Sequence, residues 1–231
     1  MPPIEDLGFI HKFVPARPPV PHPVTLLLLH GTGGDENDLL PLGSELWPSA
    51  ALLSVRGKVS ENGMPRFFRR FAEGVFDVED LKFRTDELAQ FLDAAAARYD
   101  FSATKLIAVG YSNGANIAAS LILLHPHHLA VAVLFRAMVP FAPDIIRDFS
   151  NLSIFIGAGE QDPTVPRSQP QELAAIFERD WQHSLDLEKI DRAIPPHKSH
   201  GAHVTDYAVI FDRFVAHTNR GFESWSPEPR D

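Results

Sequence analysis

The stretch that most constrains this chain is 105–124, where Lys105-Leu106-Ile107-Ala108-Val109-Gly110-Tyr111-Ser112-Asn113-Gly114 runs into Ala- and Leu-rich residues ending at Leu124. A short apolar run ends at Gly110-x-Ser112-x-Gly114 and passes directly into apolar residues at helical spacing, so it reads as strand, tight turn, helix. Such a turn holds its apical residue, Ser112, in a sparsely populated backbone conformation. It also draws positions 110 and 114 together, where only small residues fit. Because strand and helix point apart, the hydroxyl sits at the carboxyl edge of the sheet, with the free amides of the helix N-terminus beside it. This is the geometry of a nucleophile elbow. The plainer alternative is a glycine-rich strand-to-helix turn with no chemistry.

Strand and helix signals alternate along the rest of the chain. Leu7 to Val14 reads as an edge strand followed by a Pro-rich link, Pro15 to Pro23. Val24 to Leu29 is apolar throughout, as a strand covered on both faces should be. Further strands are expected at Ala51–Val55, Leu129–Phe135, Leu152–Gly157 and Leu185–Ile190. Helices are expected near 39–46, from Val78 to about Arg98, from Gln171 to Gln182 and from Val204 to His217. The segment from Arg56 to Asp77 reads as a long irregular loop carrying Arg56, Lys58, Arg66, Arg69 and Arg70 among four phenylalanines. It is either a site wall or a loop packed down by ion pairs and rings. The order implies a single α/β domain over 1–231, with a mainly parallel sheet of about seven strands, helices on both faces and a loose tail at 224–231.

A serine hydroxyl is a poor nucleophile at neutral pH unless a base takes its proton, and the base works best when an acid fixes its tautomer. In an architecture of this kind the three arrive in chain order serine, acid, histidine, at one sheet edge. Asp162 follows a strand in the loop Gly159-Glu160-Gln161-Asp162-Pro163 and is the candidate acid, with Glu160 as competitor. The loop after the last strand holds His197, His200 and His203; His203 is the candidate base and His200 the alternative. That loop lacks the carboxylate or thiolate partners of a metal site, so no metal or cofactor is expected. His125, His127 and His128 read as a solvated helix end. The turn His30-Gly31-Thr32-Gly33-Gly34-Asp35 reads as the second half of an oxyanion hole or, on its own, as a flexible turn in which Asp35 caps a helix. Met64, Phe67, Phe68, Met138, Val139 and Phe141 are candidates to line an apolar acyl groove.

Several function classes are excluded or disfavoured in bulk. There is no cysteine, which removes disulfides, thiolate metal sites and cysteine nucleophiles. A net charge of −9 argues against a nucleic-acid-binding face. No apolar run reaches the roughly 18 residues of a membrane span, and the start of the chain shows no apolar signal segment, so a cytoplasmic protein is expected.

Three segments together, Leu29-His30-Gly31-Thr32-Gly33-Gly34-Asp35, Gly110-Tyr111-Ser112-Asn113-Gly114 and Gly159-Glu160-Gln161-Asp162-Pro163-Thr164-Val165-Pro166, resemble the small bacterial carboxylesterase/phospholipase branch of the α/β-hydrolase superfamily. The resemblance spans almost the whole chain. It implies a lidless serine esterase with Ser112 as nucleophile, Asp162 as acid, the terminal histidine as base and the amides of Thr32 and Asn113 as oxyanion donors. The expected reaction is hydrolysis of uncharged carboxylic esters of short or medium acyl chain, including bulky or polymeric ones, through an acyl-enzyme. The same triad also serves lysophospholipases and thioesterases, and a non-catalytic binding protein of this fold is the remaining alternative; a homodimer is compatible with the pattern. The sequence departs from the family pattern in two places: Ala202 precedes His203, and Arg136 stands where a small residue is usual.

Overall fold

The computed structural model describes residues 7–102, 105–143, 145, 149, 152–159, 162, 164–178 and 185–190, the last of these as backbone only. The expected C-terminal helix and tail, together with Glu160, His197, His200 and His203, lie outside the described residues.

A seven-stranded sheet forms the centre. Its strands are β1 (His11–Val14), β2 (Thr25–Leu29), β3 (Ala51–Val55), β8 (Leu106–Tyr111), β9 (Val131–Phe135), β10 (Ser153–Gly159) and β11 (Leu185–Ile190), in spatial order β1-β3-β2-β8-β9-β10-β11. Only the edge strand β1 runs antiparallel, against β3; the others are parallel to their neighbours. The result is the mainly parallel α/β sheet expected from the alternating signals. Its handed crossovers bring the carboxyl ends of β2, β8, β9 and β10 to one edge.

The all-apolar strands are explained by two cores. In β2, Leu27 and Leu29 belong to the layer that also holds Leu81, Leu88, Phe91 and Leu92, whereas Leu26 and Leu28 belong to the opposite layer with Leu42, Leu46 and Trp47. A strand alternates its side chains between faces, so a strand buried on both must be apolar at every position. One face is covered by α2 (Val78–Tyr99) and α3 (Asn113–Leu124), and α4 (Ser168–Glu178) joins the same core through Leu173, Ala174 and Phe177; α1 (Leu40–Leu46) covers the other face. Asp77 caps α2 by accepting from the amide of Asp80 at 3.1 Å. Thr85 of α2 meets Ser120 of α3 at 2.7 Å, so these two buried hydroxyls satisfy each other inside the helix contact.

Two expectations are corrected. Residues 56–77 are not irregular: they form two antiparallel hairpins, β4 (Val59–Glu61) with β5 (Met64–Arg66) and β6 (Arg70–Ala72) with β7 (Val75–Phe76). The strands are two or three residues long, too short for periodicity to register, and turn on Asn62-Gly63 and Glu73-Gly74. Asp35 does not cap α1. Its carboxylate accepts from the amide of Asn37 at 2.7 Å in a local turn, and α1 starts five residues later without a side-chain cap.

Candidate active site

Ser112 sits where β8 passes into α3, with φ 51° and ψ −110°. Positive φ is costly for a residue with a Cβ and persists only where the surroundings impose it. Here the constraint is visible. A Cβ on Gly114 would lie 2.0 Å from the carbonyl oxygen of Leu29, and one on Gly110 would lie 2.7 Å from Cα of Ala115. Both glycines are therefore steric requirements of the turn, which presses α3 against the end of β2. The Ser112 amide donates to Phe135 O at 2.8 Å, anchoring the elbow to the end of β9.

The turn after β2 lies against the elbow. A Cβ on Gly114 would also come within 2.6 Å of the carbonyl oxygen of His30, and one on Gly31 within 3.5 Å of the carbonyl oxygen of Tyr111, so the start of this turn packs on the elbow. His30 is buried, which pushes its pKa down, and its ring is fixed at both nitrogens: Nδ1 donates to Gly31 O at 2.6 Å, and Nε2 accepts from the Gly57 amide at 3.0 Å. That pattern requires the neutral ring and leaves no free nitrogen for proton transfer. Gly33 has φ 87° and donates to Pro65 O at 3.0 Å. Thr32 is half-buried; its hydroxyl accepts from Nη1 of Arg66 at 2.6 Å. Asn113 is buried, and its Oδ1 accepts from the Phe67 amide at 2.7 Å, while its Nδ2 finds no partner among the described residues.

Asp162 reaches the same edge from the loop after β10. Its carboxylate forms a two-pronged pair with Arg136, the residue after β9: Nη2 of Arg136 donates to Oδ1 at 2.5 Å, and Nε donates to Oδ2. Oδ1 also accepts from the amides of Thr164 at 2.8 Å and Val165 at 3.1 Å. Burial pushes this carboxyl up, but the guanidinium and the two amides outweigh it and hold it below the usual carboxylate range. Nη1 of Arg136 donates to the hydroxyl of Tyr111, directly before Ser112, at 2.9 Å. A chain of contacts, Tyr111 to Arg136 to Asp162, thus ties the elbow to the candidate acid. Arg136 adopts φ 58°, which swings it out of β9 and over the sheet edge. The sequence marks Arg136 as out of pattern; a cation directly after a parallel strand, one loop away from an Asp, was the signal for this pairing.

The apolar candidates divide. Met64 is exposed beside Gly33, and Met138, whose amide donates to Oδ1 of Asn116 at 2.8 Å, is half-buried. Val139 packs partly into the core, and its amide donates to Gln169 at 2.9 Å. Phe68 is a correction: it is fully buried, packed edge-on against Phe76 at 5.1 Å, and so presents no surface to a ligand. Phe67 is equally buried against the His30 ring. The charges of 56–70 are paired rather than free: Arg56 with Glu36, Lys58 with Glu87, Arg69 with Asp77, and Arg66 and Arg70 with Glu61. A surface groove of about 310 Å³ lined by Ile10, Arg56, Lys58, Val59 and Pro65 includes none of the candidate site residues. Among the described residues no group of histidines and acids is placed to hold a metal, and no helix is long and apolar enough to cross a membrane.

Comparison with known proteins gives consistent relatives. No family model matches the chain. A Bacillus subtilis (strain 168) protein named "Putative hydrolase MhqD" is 48% identical over 178 residues, 73% of this chain and 89% of its own length. The Bacillus cereus carboxylesterase structure superposes with a TM-score of 0.78 at 42% identity, covering 90% of this chain and 95% of that one. A carboxylesterase from Mesorhizobium loti gives 0.77 at 29% identity, covering 92% and 97%. With the sheet order, the elbow and these relatives in agreement, the chain belongs to the bacterial carboxylesterase/phospholipase-type branch of the α/β-hydrolases.

Proposed function

We propose that this chain is a serine carboxylesterase, folded over 1–231 as one catalytic domain, that cleaves uncharged carboxylic esters of short or medium acyl chain through an acyl-enzyme. The observation that carries the reading is the backbone of Ser112, with φ 51° and ψ −110°, locked by Gly114 against the end of β2. Strain of this kind in a half-buried serine at a sheet's carboxyl edge has a ready explanation as a pre-aimed nucleophile. The relatives named as carboxylesterases support the ester as substrate.

In the proposed reaction the imidazole of His203, or of His200 in its place, takes the proton of Ser112 as Oγ bonds to the acyl carbon. The carbonyl oxygen takes the negative charge and is held by the amides of Thr32 and Asn113. The C–O bond to the alcohol breaks as the imidazolium returns its proton to the leaving oxygen. Water then attacks the acyl-enzyme by the same route and releases the acid. Asp162 orients the imidazole and offsets its charge; because Arg136 keeps it ionised, it remains an acceptor well below neutral pH. Met64 and Met138 supply apolar contact for the acyl chain.

The test is hydrolysis of p-nitrophenyl acetate, butyrate and octanoate by the wild-type chain and by Ser112→Ala. The expected outcome is turnover of the shorter esters by the wild type and a loss on the order of 10⁴-fold or more in the variant. Ester turnover that survives the substitution rules the mechanism out.

A further inference from the structure

Three of the four residues at 31–34 are glycine, so the turn that carries Thr32 has little conformational preference of its own. Yet an oxyanion donor contributes only if it is held in place before the reaction. Something outside the turn must hold it. Residues 57–67 make four hydrogen bonds that land on the two arms of the proposed oxyanion hole. The Gly57 amide donates to His30, Pro65 O accepts from Gly33, Nη1 of Arg66 donates to the Thr32 hydroxyl, and the Phe67 amide donates to Asn113. The β4–β5 hairpin is therefore joined to both residues whose amides face the reacting carbonyl in the reading above.

Arg66 is the unusual member. It is 3% exposed, its Nε donates to Phe68 O at 3.2 Å, and Nη1 lies 3.3 Å from Glu61. Burial pushes its pKa down to about 10, so the cation survives at neutral pH but at a cost in desolvation. A buried fork that spans β5, Glu61 and the Thr32 hydroxyl fixes three pieces of chain with one rigid plane.

We propose that Arg66 is a positioning residue for the oxyanion hole. Through the Thr32 hydroxyl, it and the β4–β5 hairpin set the aim of the Thr32 amide at the acyl carbonyl attacked by Ser112. This rests on the serine-esterase reading. It assigns the Thr32 side chain a role that the amide alone does not need. Because Arg66 acts on the turn through that hydroxyl, removing either partner frees the same amide, and removing Thr32's hydroxyl from a chain that already lacks Arg66 adds little.

The experiment compares the full-length wild type with Thr32→Val, Arg66→Met and the double variant on p-nitrophenyl butyrate, together with inhibition by a boronic acid that mimics the tetrahedral adduct. The expected result is a kcat lower by about ten- to a hundred-fold in each single variant, with KM within about two-fold. The double variant is no slower than the slower single. The boronic acid weakens in step with kcat/KM, and Thr32→Ser regains most of the rate lost in Thr32→Val. Thr32 is half-buried and uncharged, so Thr32→Val carries the test alone if Arg66→Met does not fold. Wild-type kcat in Thr32→Val, or losses that multiply in the double variant, overturns the proposal. A folded wild type without Ser112-dependent hydrolysis overturns the esterase reading and this proposal together, whereas an active wild type with an indifferent Thr32→Val overturns the hairpin's role alone.

Discussion

Arg136 shows how one side chain changes the chemistry of its neighbour. Its own burial works against its charge, yet the Asp162 carboxylate and the Tyr111 hydroxyl more than offset this and raise its pKa; both members of the pair are almost fully buried. Removing one member of a buried pair leaves the other charge uncompensated, a loss of about 3–5 kcal/mol. Arg136→Met should therefore destabilise the fold by that order at neutral pH. The carboxyl of Asp162 is depressed in the wild type, so its contribution is present above the ordinary carboxylate value and is lost as pH falls through the lowered one. In Arg136→Met only the two loop amides oppose burial, and the carboxyl protonates at higher pH. The stability gap between wild type and variant, measured by urea unfolding, should hold near neutral pH and shrink as pH falls below about 4. A gap that stays constant across that range contradicts the assignment.

The secondary-structure elements differ in how plainly the sequence declares them. The doubly buried strands and α2 are legible because each is long enough for its period to repeat, and α2 shows a clear apolar face. Asp77→Ala removes the bond to the Asp80 amide and should cost about 1 kcal/mol. Because Asp77 touches none of the proposed reacting groups, kcat and KM should stay at wild-type values while the thermal midpoint falls; a kinetic change without a stability change would contradict this division. The two hairpins of 56–77 were not legible. Their strands of two or three residues are too short for alternation to register, so the Asn62-Gly63 turn and the nearby pairs of Glu61 with Arg66 and Arg70 are the only local marks they leave among the described residues. Phe68 misled for a related reason: a loop phenylalanine beside arginines suits a groove wall as well as a core, and only the fold decides between them.

At the scale of the whole molecule, one sheet edge gathers what the chain spreads over more than 130 residues, from His30 at the end of β2 to Asp162 after β10. The elbow was readable because its glycines answer a local steric demand, visible as the 2.0 Å approach of a Gly114 Cβ to Leu29. The ties among the site loops were harder to read: Arg66 pairs with Thr32 across 34 residues and leaves no local trace, while Arg136 pairs with Asp162 across 26 and shows in the sequence only as a cation out of pattern after β9. The roles proposed for these residues depend on Oγ of Ser112 being the nucleophile. The most direct measurement is to treat the full-length chain with a fluorophosphonate and locate the adduct by peptide mass spectrometry. The account predicts one equivalent bound, on the peptide containing Ser112, with parallel loss of ester hydrolysis. An unlabelled Ser112 in an active protein, or an adduct on another residue that abolishes activity, would contradict it.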